Sequence, residues 1–180
     1  MKHIIISIKP EWVCKILNKE KLLEIRKSVP KEILNGEECI VEIYCTKDRN
    51  NLFIVNQNDS FIYKTTNIKC CHLFGDGYFG NGKVVARWHL KQVDLLVDCG
   101  MGVHYCDKDY NLLDLDYLRI NSCLTDEQIY LYLGLKKDSG YYNDGYAWHI
   151  EDLHIYDTPK ELAEFGLKRP FQSWGYLNDE

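Results

Sequence analysis

The sequence predicts an α+β fold, with several short strands separated by a few short helices. Three observations point to it. Ile4, Ile5, Ile6 and Ile8 form a β-branched run of the kind that packs inside a sheet. Residues 39–46, CIVEIYCT, alternate cleanly, with Ile40, Glu42, Tyr44 and Thr46 on one face and Val41, Ile43 and Cys45 on the other. Helical signals are brief: Val13, Ile16 and Leu17 fall at i, i+3 and i+4, and Thr125 with Gln128 has capping-box spacing.

In chain order, Pro10 suits the first turn of a helix, where its missing N–H costs nothing, and Asn18 is a terminator. Residues 22–26 return to strand-like alternation. Leu23 and Ile25 then face one way, Glu24 and Arg26 the other, with Lys21 at the lip of that surface. Pro30 holds Val29 extended and ends the strand, and Asn35-Gly36 marks a turn. Residues 52–55 and 61–65 read as a hairpin around an Asn/Asp-rich turn. Residues 72–82 carry four glycines and read as a loop. Residues 82–97, GKVVARWHLKQVDLLV, read as one long central strand bulged midway. Residues 99–121 show no clean period. A helix follows from Thr125 to Leu133, stopped by Gly134, with Leu124, Ile129, Leu131, Tyr132 and Leu133 available for docking. Residues 146–156 read as a strand, and Thr158, Pro159 and Glu161 as the start of a last short helix.

The chain has 180 residues, enough for one domain with a full core. No stretch of ~18 apolar residues is present to span a membrane, and Lys9 comes too early for a signal peptide. The expectation is a soluble cytoplasmic protein. A net charge of −5 disfavours wholesale attraction to polyanions. The charge is uneven, however. Residues 15–31 hold six basic groups against two acidic ones, whereas residues 94–127 hold eight acidic against two basic. A local basic lip suits a nucleotide or a short nucleic acid better than a long duplex, whose binding needs many phosphate contacts.

The eight cysteines lack a secretory context. Cys14 and Cys39 read as core thiols. Cys70-Cys71-His72 and Cys99-x4-His104-x-Cys106 are the two clusters with metal-ligand chemistry, and neither has C-x2-C spacing. The expectation is no cofactor, with zinc at Cys99, His104 and Cys106 as the weaker alternative.

The opening strand, the helix KPEWVCKIL and the following KxKxxExR segment resemble the start of an ASCH domain, a small β-barrel of the PUA-like superfamily. Lys21 and Arg26 match the Lys and Arg of that family's G-x-K-x-x-x-x-R signature, and Lys19 replaces its glycine. Residues 82–87, 146–162 and 169–177 resemble segments of phage and Firmicutes ASCH-like proteins. The resemblance implies a single PUA-like (ASCH) small β-barrel over residues 1–180, with flanking short helices and an insertion at about 94–140. It also implies recognition of RNA or of a modified nucleotide.

Three groups are candidates for that role. Lys21 and Arg26, with Lys27 beside them, have the charge to hold a phosphate or base carbonyl, and Glu24 can accept from an exocyclic amine. The plain alternative is a surface ion pair worth ~0–1 kcal/mol. Tyr44 and Thr46 suit stacking on a base and bonding to a phosphate, or half-buried sheet packing. Trp148, His149, Gln172, Ser173 and Trp174 offer stacking faces and base-edge partners; the alternatives are a satisfied core histidine and a Trp174 that anchors the tail.

An enzymatic alternative uses Lys21 with Glu24 as a ribonuclease or nucleoside amidohydrolase. In the ASCH enzymes that hydrolyse acetylcytidine, a Thr nucleophile stands where this chain has Glu24, and a carboxylate cannot take the hydroxyl's part in an ester intermediate. That departure favours binding over amide hydrolysis. A third reading is a phage-type protein that binds a host protein through its Asp/Tyr-rich surface at 94–127.

Overall fold

A computed structural model describes residues 1–47, 52–57, 60–65, 79–98, 102–134 and 145–178. The chain divides into two compact units. The first holds residues 1–19, 39–89 and 152–180; the second holds residues 20–38 and 90–151.

The first unit is organised on β1 (Lys2–Ile8). Strand β1 runs parallel to β3 (Cys39–Cys45) and antiparallel to β11 (Trp174–Tyr176). The five-stranded order is β10-β6-β3-β1-β11, with β6 at Val84–Leu90 and β10 at Glu151–Lys160. The ladder pairs Ile4, Ile6 and Ile8 with Val41, Ile43 and Cys45, all buried. Each such isoleucine contributes about 1.5–3 kcal/mol of burial. Ile5, Glu42 and Tyr44 take the other face, where Ile5 and Tyr44 pack with Val84, Tyr156 and Leu177. Helix α1 (Pro10–Leu17) follows β1 and buries Val13, Ile16 and Leu17. The hairpin expected near residue 60 is present as β4 (Leu52–Gln57) and β5 (Ser60–Thr65).

The second unit is an antiparallel sheet of order β2-β9-β7-β8: β2 Leu23–Arg26, β9 Gly145–His149, β7 Val93–Asp98 and β8 Val103–Cys106. One face carries Leu23, Ile25, Leu96, Val103, Tyr105 and Ala147. Leu118 of α3 (Leu115–Ser122) and Ile129 and Leu133 of α4 (Asp126–Leu133) cover it. The capping box at α4 forms as read, since Thr125 accepts from the Gln128 amide and Gln128 accepts from the Thr125 amide. Gly134 closes the helix in the left-handed region, where a Cβ is disfavoured. A short helix, α2 (Lys31–Leu34), follows Pro30.

The expected α+β fold is therefore observed, with its strands paired in open sheets among the described residues. Several element readings are corrected. Residues 82–97 are two strands, β6 and β7, in different sheets; the chain leaves one ladder at Leu90 and enters the other at Val93. Residues 146–156 likewise divide between β9 and β10, and Asp152 turns the backbone with φ 49°. Thr158 and Pro159 cap no helix. They lie within β10 at the sheet edge, where a missing proline N–H is tolerated. The helical turn after them is a 3-10 turn at Leu162–Phe165, with Glu161 and Glu164 forming the cap. Within residues 99–121 lie β8 and all but the last residue of α3. On α4, Leu131 is 82% exposed and Tyr132 half-exposed, so Ile129 and Leu133 dock the helix. No described helix is long and apolar enough to cross a membrane.

Candidate functional site

Strand β2 carries the charged cluster. Its alternation puts Leu23 and Ile25 into the core, and Glu24 pairs with Trp148 on the other face. Lys21 precedes the strand and is 2% exposed. Its ammonium donates to the Leu23 carbonyl at 2.8 Å and the Ser122 carbonyl at 2.7 Å, and lies 3.3 Å from Glu24 Oε2. Those three acceptors match its three N–H groups. Ser122 ends α3, so the lysine also meets the negative end of a helix dipole. Burial lowers the Lys21 pKa, opposed by the charge of and hydrogen bond to Glu24.

Arg26 Nη2 lies 3.0 Å from Glu24 Oε1, and both residues are 7% exposed. The surface ion pair considered from the sequence is overturned: the carboxylate is buried between two cations. Lys21 is also not at a lip. Its ammonium pairs with the Glu24 carboxylate, which also pairs with Arg26. Lys27 is exposed, its ammonium 5.6 Å from the centre of the Tyr132 ring.

A second cluster on this sheet joins His149 to Asp94, Tyr105 and Gln92. Asp94 of β7 is 2% exposed. Gln92 donates to its Oδ1 at 3.0 Å, the Tyr105 hydroxyl donates to its Oδ2, and His149 Nε2 lies 2.6 Å from the same Oδ2. Burial alone would raise the Asp94 pKa, but the bonds from His149, Tyr105 and Gln92 outweigh it and hold the carboxyl below its usual range. Burial and the Asp94 carboxylate push the Tyr105 phenol up. His149 is thus a satisfied histidine at Nε2, and its side chain is 17% exposed.

The remaining candidates separate. Trp148 is fully buried and presents no stacking face to a base. Tyr44, in the first unit, is 3% exposed and packs in the core, so it is not a stacking platform; its phenol is pushed up by burial. Thr46 follows β3 and its amide donates to the Ile8 carbonyl. Gln172 and Ser173 are exposed. Trp174 is half-buried and pairs with Ile6 in the β1–β11 ladder, which is the tail-anchor arrangement. On the same face as Tyr44, Glu42 is buried and receives the Tyr156 hydroxyl at 2.7 Å. Burial raises its pKa despite that bond.

Of the zinc alternative, Cys99 lies outside the described residues, as do Cys70, Cys71 and His72. His104 is exposed, and Cys106 is buried with its thiol pushed up by that burial. Among the described residues no three His, Cys, Asp or Glu side chains gather as a metal site.

No family model and no curated protein matches the chain. Among solved structures it is similar to ASCH from Zymomonas mobilis, with a TM-score of 0.53, 15% identity, and coverage of 98% of this chain and 88% of that one. A serine-to-alanine mutant of that protein gives a TM-score of 0.53 at 16% identity over 98% of this chain and 89% of that one. A tyrosine-to-phenylalanine mutant gives a TM-score of 0.53 at 16% identity over 99% and 91%. The shared feature is the fold. Lys19 takes φ 60°, in the left-handed region that favours glycine.

Proposed function

We propose that this chain binds RNA or a nucleotide at a site built on Glu24 and Arg26 and held by Lys21. The observation that carries the reading is the buried charged cluster on β2. Apolar residues of similar volume stabilise a fold as well as or better than a buried ion pair, so stability alone gives little reason to bury three charges. A guanidinium fixed beside a carboxylate offers a donor array and an acceptor, the pattern that reads a base edge or grips a phosphate. The ASCH-like fold and signature support nucleic-acid recognition.

Lys21 is engaged by three acceptors, which favours binding over chemistry in which it attacks or delivers a proton. A second reading, docking of a host protein, draws support from Tyr110, Leu112 and Ile120, which are exposed among Asp107, Asp109, Asp114 and Asp116. Pull-down that survives nuclease treatment would favour it.

The test is titration of the full chain with mononucleotides and a short single-stranded RNA, beside Arg26→Gln and Glu24→Gln variants whose fold is checked by circular dichroism. Wild-type binding that weakens at least about tenfold in each variant is expected, the size of one lost charge-assisted bond. Equal binding by all three would sink the proposal. Turnover of RNA or acetylcytidine, with or without divalent metal, would move the assignment to the enzymatic alternative.

A further inference from the structure

The hydrogen bonds around Asp94 determine the tautomer of His149. The Asp94 carboxyl is held ionised, and an ionised carboxylate only accepts hydrogen bonds. It accepts from Tyr105 and Gln92. The nitrogen 2.6 Å from Oδ2 must therefore donate, so Nε2 carries the hydrogen. In the neutral ring Nδ1 is then a bare acceptor. The backbone amide of His149 donates to the Gln92 carbonyl, which fixes the ring's base beside the start of β7.

His149 also occupies a defined face. It pairs with Leu23, and Leu23 shares its face with Ile25 and Ala147, opposite to Glu24. A mononucleotide held by Glu24 and Arg26 would not meet the imidazole. A longer chain that also reached the 17% of the His149 side chain left exposed would.

We propose that His149 Nδ1 is a second subsite, which accepts a hydrogen bond from a neutral donor on an oligonucleotide, either a ribose hydroxyl or an exocyclic base amine. Asp94 is the positioning residue, setting the tautomer, and Tyr105 and Gln92 keep its carboxylate in place. This inference rests on the nucleic-acid reading above and deepens it.

Two measurements on the full chain test it. Long-range proton–nitrogen NMR of the His149 ring is expected to show hydrogen on Nε2 in the wild type, and on Nδ1 in Asp94→Asn, whose amide can donate to Nε2. Hydrogen on Nδ1 in the wild type overturns the assignment. Binding is then compared for a mononucleotide, a single-stranded RNA and the DNA of the same sequence, using wild type, His149→Phe and Asp94→Asn. Both variants are expected to lose about tenfold for the RNA and nothing for the mononucleotide, the fold-change of one hydrogen bond. Loss on RNA but not DNA identifies a hydroxyl donor. Loss on both, absent for an all-uridine strand that lacks an exocyclic amine, identifies an amine. RNA binding unchanged in His149→Phe overturns the subsite and leaves the Glu24–Arg26 reading standing. No binding of any probe by the wild type overturns both.

Discussion

Replacing Lys21 by methionine keeps the stem and removes the ammonium. Two carbonyls, of Leu23 and Ser122, lose a donor 2.7–2.8 Å away, and Glu24 loses one of its two cations. All three charged side chains are almost fully buried, so water offers little replacement. Breaking a buried pair by removing one partner costs about 3–5 kcal/mol. For a chain of this length each kcal/mol moves the midpoint by about 2–4 °C, giving an expected fall of roughly 6–20 °C. Thermal and urea unfolding followed by circular dichroism would read it. The reasoning also requires coupling: with Glu24→Gln already present, the second loss should be smaller by about 1 kcal/mol or more. A Lys21→Met loss below about 1 kcal/mol, or losses that simply add, would refute the picture of one cooperative buried cluster.

Four further outcomes follow from the geometry. Lys19→Gly should stabilise the chain by about 0.5–1 kcal/mol in urea unfolding, since Lys19 holds φ 60° and glycine carries no Cβ penalty there. Thr125→Ala should lose about 1 kcal/mol by removing the α4 cap. Tyr105→Phe should lose about 1.5–3 kcal/mol, the worth of a buried bond to a charged group. Glu42 has a folded pKa above its ordinary 4.5, so its protonated form suits the fold. The associated stability is complete below 4.5 and lost as pH rises through the higher folded value. Glu42→Gln should therefore gain stability relative to wild type between acidic and neutral pH, as a series of urea midpoints would show.

Much of the framework was legible because it is local. The isoleucine run, the alternation of 39–46, the proline-started α1 and the capping box of α4 each declare themselves within a few residues. The divisions of 82–97 and 146–156 did not, because an apolar period says nothing about which sheet a strand joins. The burial of Lys21 has no local signal, because lysines are seldom buried unless paired and one of its acceptors, the Ser122 carbonyl, lies 101 residues further on. The Asp94–Tyr105–His149 cluster is assembled by ladder register across β9, β7 and β8. The available hint was Gln92-x-Asp94 beside a strand break, together with an acid in an otherwise apolar strand.

The affinity of the full chain for a short single-stranded RNA, measured against salt concentration beside Arg26→Gln, tests the recognition claim most directly. A compact site should give a slope of log affinity on log salt of about −0.7 to −1.4, one or two phosphates, reduced in the variant. A slope steeper than about −4, or one that Arg26→Gln leaves untouched, would place the binding on a diffuse surface and contradict a site at β2.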